Sequence, residues 1–175
     1  MQQFIGTKII KAKPMTLGEY RAYRKWAIGE NEIESTLGYL VEYTDGDESN
    51  HPDHEGYISW SPANVFEKAY RQTDGLNFGL ALEAMKMGLK VARSGWNGKG
   101  MWLAIQEGST ITKDKARGGV AKMLADEGVE SIVIKRHIDM RSADGSVVVG
   151  WLASQTDMLE DDWFILPLTD VTPEK

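Results

Sequence analysis

The chain has 175 residues, a formal charge of −6 and no cysteine, which leaves room for one medium domain or two small ones and excludes disulfides, thiolate metal sites and cysteine nucleophiles. A content of 42% hydrophobic and 26% charged residues is that of an ordinary globular protein, and the acidic balance argues against a duplex-binding surface, since phosphate neutralisation needs clustered Lys and Arg. No apolar run approaches bilayer length, and the start "MQQFIGTKIIKAKP" lacks the charged-then-apolar order of a secretion signal, so a cytoplasmic protein is expected.

In chain order, "FIGTKIIKAKP" has strand character and stops at Pro14. Thr16 and Glu19 stand at capping-box spacing, which predicts a helix from Leu17. "LGYLVEYTD" and "GYISWS" read as strands around the polar loop "GDESNHPDHEG". "SPANVFEKAYR" predicts a helix with Ser61 as N-cap and Pro62 at its first position. The "QTDG" joint then places a domain boundary near residue 75.

The pattern restarts with "LNFGLALEAMKMG", where Phe78, Leu82, Met85 and Leu89 share a helical face and Gly88 suits the helix end. "KVARSGW" and "MWLAIQ" predict two strands around a glycine turn. "TKDKARGGVAKMLADEG" is weakly helical, with Gly118 and Gly119 weakening its middle. "ESIVIKRHIDMRS" and "VVVGWL" flank the hairpin signal Asp144-Gly145. Asp157 and Glu160 offer a cap for a short helix over "MLEDD", "WFILP" reads as a last strand, and "LTDVTPEK" as a tail. The expected fold is α+β: a small N-terminal α+β unit over 1–75, then a compact antiparallel-sheet domain over 76–175 with a packed N-terminal helix.

Several chemistries lack their residues. There is no phosphate-binding G-x-x-x-x-G-K-[ST], no G-x-G-x-x-G after a strand and no serine in G-x-S-x-G. His51 and His54 in "HPDHE" offer imidazole and carboxylate donors, but without helical spacing or a distant third ligand they read as a polar turn, and no metal is expected.

Two constellations remain. In the first, Phe78, Arg93, Trp96 and Asn97 surround the turn "SGWNGKG". A glycine-tethered indole there is able to stack on a base, a guanidinium to fork onto phosphate, and an amide to meet a base edge or ribose. The competing reading makes Trp96 a core plug, pairs Arg93 with a carboxylate, and gives Asn97 to the turn. In the second, "GWLASQTDMLEDDW", Trp151 precedes Ser154, Gln155 and Thr156 at a helix entrance whose N–H groups suit an anion, while Asp157 and Asp161 stand four apart as acceptors for hydroxyls. Here the competing reading makes Asp157 a simple cap and Asp161 a solvated charge.

Taken together, "NFGLALEAMKMGLKVARSGWNGKGMWLAIQ" and "IDMRSADGSVVVGWLASQTDMLEDDW" closely resemble the second type of phage Thoeris anti-defence protein. The resemblance covers most of residues 76–166 and is most specific in "RSGWNGKGMW" and "GWLASQTDML". It implies a non-catalytic protein without a cofactor, acting in the infected host's cytoplasm. Such a protein sequesters cyclic ADP-ribose isomers of the glycocyclic type, in some members also cyclic dinucleotides, and assembles as a homotetramer with pockets near subunit interfaces. It also implies that Phe78, Arg93, Trp96, Asn97, Trp151, Ser154, Gln155, Thr156, Asp157 and Asp161 form the ligand site. Chemistry then suggests adenine on Trp96 or Trp151, pyrophosphate on Arg93, ribose hydroxyls on the aspartates, and Phe78 closing the pocket. The segment 107–131 is longer than the family's compact connection, and the N-terminal unit is extra to it, resembling a small phage and prophage domain without an assigned function. Two other classes stand beside this reading: a cyclic-nucleotide hydrolase using Asp157, Asp161 and Asp162, and a protein-interaction or virion-associated module with an aromatic peptide groove.

Overall fold

The structure is a computed structural model that describes residues 1–3, 5–46 and 48–167; the expected tail "LTDVTPEK" lies outside the described residues. Backbone contacts divide the chain into two compact units, Met1–Arg71 and Gln72–Lys175.

The first unit has a three-stranded antiparallel sheet, order β1-β2-β3, of β1 (Lys11–Pro14), β2 (Gly38–Tyr43) and β3 (Tyr57–Pro62). Strand β1 is shorter than the sequence suggested. Helix α1 (Leu17–Tyr23) starts with the reciprocal Thr16–Glu19 capping box. It ends in a complete Schellman turn: Lys25 N–H donates to Ala22 O at 3.0 Å and Trp26 N–H to Arg21 O at 2.9 Å. Lys25 occupies the left-handed position of that turn, φ 56°, usually a glycine's place. Tyr20, Leu40 and Ile58 make the small core, with Met15, Tyr23 and Trp60 packed against it. Helix α2 (Ala63–Ala69) departs from expectation at its start: Ser61 and Pro62 belong to β3, paired with Tyr39 and Gly38, and no side chain caps the helix. The strand ladder takes the two residues that would have served as cap and first turn. The loop histidines are occupied locally, with His54 Nε2 3.0 Å from the Tyr23 hydroxyl and its Nδ1 3.3 Å from a Glu42 carboxylate oxygen.

In the second unit, α3 (Phe78–Lys86) is capped by Asn77, whose side chain accepts from Leu80 N–H. Gly88, φ +85°, turns the chain into β4 (Val91–Arg93), followed by β5 (Trp102–Gln106). A segment with its own two-stranded ribbon follows: β6 (Ser109–Thr112), α4 (Gly118–Glu127) and β7 (Ser131–Ile134). The paired glycines open α4 rather than weaken its middle, and Gly128 closes it in the left-handed conformation. "ESIVIKRHIDMRS", expected as one strand, is two: β7 pairs with β6, and after a break at 135–136, β8 (His137–Arg141) pairs with β5. The Asp144-Gly145 hairpin leads to β9 (Val147–Val148), and α5 (Gln155–Leu159) precedes β10 (Trp163–Ile165). Strands β10-β4-β5-β8-β9 form one antiparallel sheet. Helix α3 lies against it through Ala81, Ala84 and Met85, which pack with Leu76, Val91, Leu103 and Trp163. The α+β architecture expected from the sequence is the one found.

Candidate functional site

The two Gly-Trp segments meet because three elements converge: the turn after β4 carries Trp96, the exit from β9 carries Trp151, and α5 supplies Asp157 between them. The indoles of Trp96 and Trp151 stand edge to face, 6.4 Å between centroids. Both lean on Trp163, which is fully buried and lies 5.5 Å from Trp96 and 6.3 Å from Trp151. Phe78, the first residue of α3, completes the cluster 5.3 Å from Trp163. Edge-to-face pairs at these separations contribute about 0.5–1.5 kcal/mol each beyond area burial. Trp96, Trp151 and Phe78 remain partly exposed, so the cluster is apolar floor and open wall at once.

Beneath the indoles lies a charged hub. Arg93 donates from Nε and Nη2 to both carboxylate oxygens of Asp162, at 2.7 and 3.2 Å, and from Nη1 to Asp157 at 2.8 Å. Its side chain is only 8% exposed. Asp157 Oδ1 accepts from Arg93 and from Trp96 Nε1 at 3.1 Å, while Oδ2 accepts from Ser154 N–H at 3.1 Å and Ser154 Oγ at 2.6 Å. Burial alone pushes the Asp157 carboxyl up, but donation from Ser154, Arg93 and Trp96 outweighs it and holds the pKa down at about 2. Hydrogen bonding from Arg93 also lowers Asp162, whose second oxygen accepts from Gly95 N–H at 2.8 Å.

This arrangement corrects three local expectations. Helix α5 starts with a Ser154–Asp157 capping box instead of an Asp157–Glu160 cap, because the serine reaches the N–H three residues on while its own N–H finds the carboxylate. The helix ends at Leu159, so Asp161 lies beyond it, exposed, and does not share a helical face with Asp157. The helix entrance is already occupied by the Asp157 carboxylate, which disfavours the anion expected there. Asp157 itself has its acceptor positions taken within the chain, and Arg93 is engaged by two carboxylates, the pairing that competed with phosphate binding on sequence grounds. Asn97, Gln155 and Thr156 stand exposed.

Sequence reasoning overlooked Trp163 as the centre of the cluster, and weighed Asp162 only as a hydrolytic carboxylate. Trp163 had a signal, a tryptophan opening the apolar run "WFIL". Asp162 had none, since its partner Arg93 is 69 residues away. Among the described residues no group of three or more His, Cys, Asp and Glu side chains has the arrangement of a metal site, and no helix is long and apolar enough to cross a membrane.

The segment from Leu76 to Leu166, which contains the whole hub, matches the family model for the Thoeris anti-defense 2-like domain over residues 76–166. Thoeris anti-defense 2 of Bacillus phage SP01 is 36% identical over 91 residues, spanning 52% of this chain and 94% of the phage protein. With the match running through both Gly-Trp segments and covering half of its length, the chain belongs to the Thoeris anti-defense 2-like family.

Proposed function

We propose that the protein is a phage counter-defence sponge that binds a cyclic ADP-ribose-type signal, such as a glycocyclic isomer, and holds it without cleaving it. The observation that carries this reading is the family match over residues 76–166, joined to the meeting of Trp96 and Trp151 within it. Sequestration needs tight, reversible contact and no reacting group. The partly exposed faces of Trp96 and Trp151 offer stacking area for adenine, and Phe78 borders them. Asn97, Gln155, Thr156 and Asp161 stand ready at the rim for ribose and base edges. Arg93, Ser154 and Asp157 act mainly by fixing the Trp96 indole, a division of labour that differs from direct pyrophosphate and ribose contacts by Arg93 and Asp157. A cyclic dinucleotide at a separate site belongs to the same proposal.

A homotetramer is proposed as the working form. Its support is exposed apolar side chains, Val149 at 71% and Leu152 at 88% after β9 and Leu159 at 81% on α5. Patches of this kind mark interfaces.

The test is direct. Purified protein is mixed with a glycocyclic ADP-ribose isomer, freed of unbound ligand and heat-denatured, and the released nucleotide is identified. Intact nucleotide from wild type, with at least about tenfold less from Trp96→Ala, supports the sponge. A cleaved product overturns it in favour of a hydrolase, and failure to retain any cyclic nucleotide favours a protein-binding module.

A further inference from the structure

The first unit contains a cleft of about 360 Å³ that nucleotide capture by the second unit does not use. That volume lies within the usual range for small-molecule sites. Four aromatic side chains, Tyr20, Trp26, Tyr57 and Trp60, stand among its walls, and its charged side chains are Arg21, Arg24 and Glu32.

These charges are not equivalent. Arg21 is committed: its Nε donates to Glu32 Oε2 at 3.0 Å, its Nη2 binds the other oxygen, and Gly29 N–H holds the same carboxylate at 2.9 Å. The Arg24 guanidinium interacts with the Tyr20 hydroxyl, but its Nη1 is buried without a hydrogen-bond partner among the described residues. A buried donor on a cation is seldom left unmatched. The Trp26 indole lies over that guanidinium, 4.3 Å from its carbon to the ring centroid, and is itself 47% exposed. Lys25, in the left-handed conformation immediately before it, and the Trp26 N–H bond to Arg21 O fold the indole back onto the helix. The result is an aromatic cleft whose three charges sum to one unit of positive charge, with the unmatched donor beneath a surface indole.

We propose that this cleft binds a small molecule with a flat ring and a single carboxylate, the carboxylate meeting Arg24 as the Trp26 indole moves aside and the ring lying among the aromatic walls. The inference does not rest on nucleotide capture, and its test leaves that reading untouched. The full chain is titrated with indole-3-acetate and with its neutral analogue indole-3-acetamide. Heat of binding gives affinity, and indole N–H resonances locate the site.

Indole-3-acetate is expected to bind at least about tenfold more tightly than the amide, the scale of one hydrogen bond to a charged group. It should move the Trp26 and Trp60 resonances and leave those of Trp96 and Trp151 in place. Arg24→Gln should remove the preference for the acid, and Arg24→Lys should retain part of it. Equal affinity for acid and amide, shifts confined to Trp96 and Trp151, or no binding of the acid to wild type would each overturn the proposal. The comparison on wild type stands even if a variant fails to fold.

Discussion

Asp157 gathers donors from three separate stretches of chain: Arg93 at the end of β4, Trp96 in the following turn, and Ser154 at the start of α5. Its side chain is 14% exposed, so these bonds operate largely away from water. Truncating it to alanine leaves part of the buried Arg93 charge unmatched and removes the carboxylate half of the Ser154–Asp157 capping box. Asp157→Ala is therefore expected to cost about 3 kcal/mol, read by chemical denaturation. The same residue makes stability depend on acid. Its carboxyl is lowered from 3.8 to about 2 in the fold, so its contribution is fully present above the unfolded value and is lost as pH falls through the folded one. That difference is worth about 2 kcal/mol. Melting temperature should decline between about pH 4 and pH 2, and the decline should be shallower in Asp157→Asn. A wild-type melting temperature flat across that range would contradict the hub. At Gly95, an added β-carbon would stand 2.5 Å from the Asp162 carboxylate. Gly95→Ala should loosen the Arg93–Asp162 pair, destabilise by about 1–3 kcal/mol and weaken nucleotide retention.

At the scale of elements, some of the local chemistry acting over three or four residues was legible, although the Ser154–Asp157 box was read as an Asp157–Glu160 cap. The Thr16–Glu19 box and the Asp144-Gly145 hairpin follow from side chains that satisfy neighbouring backbone, and the turn at Gly88 after α3 from a glycine's tolerance of positive φ. Misreadings came where a longer-range ladder competed. Ser61 and Pro62 entered β3 because β2 supplied partners, and "ESIVIKRHIDMRS" divided because its halves found partners in different sheets. No local pattern encodes which of two available strands is taken. The Schellman turn at Lys25 gives a further prediction. A glycine relieves the left-handed strain, so Lys25→Gly should stabilise the first unit by about 1 kcal/mol, measured as a shift in its denaturation midpoint, while weakening indole-3-acetate binding if Trp26 loses its aim. Loss of stability in that variant would show that the lysine side chain does more than occupy the turn.

For the whole molecule, the family match falls wholly inside the second unit, Gln72–Lys175. Residues 72–175 expressed alone are expected to unfold in one cooperative transition and to retain nucleotide within about threefold of the full chain. A much larger loss would assign the first unit a part in capture. The meeting of Trp96 and Trp151 was legible in the two Gly-Trp segments, since each is distinctive in sequence. The Arg93–Asp162 clamp was not, because only the closed sheet brings β4 beside β10. The Trp96–Trp151–Trp163 cluster also has an optical consequence. Three indoles held edge to face within 6.4 Å have coupled excited states, so the folded protein should show a far-ultraviolet circular dichroism couplet that Trp163→Phe weakens, leaving only the Trp96–Trp151 pair. A purine entering between Trp96 and Trp151 would alter the sign or amplitude of that couplet. The couplet is thus a label-free test of whether a nucleotide enters between Trp96 and Trp151.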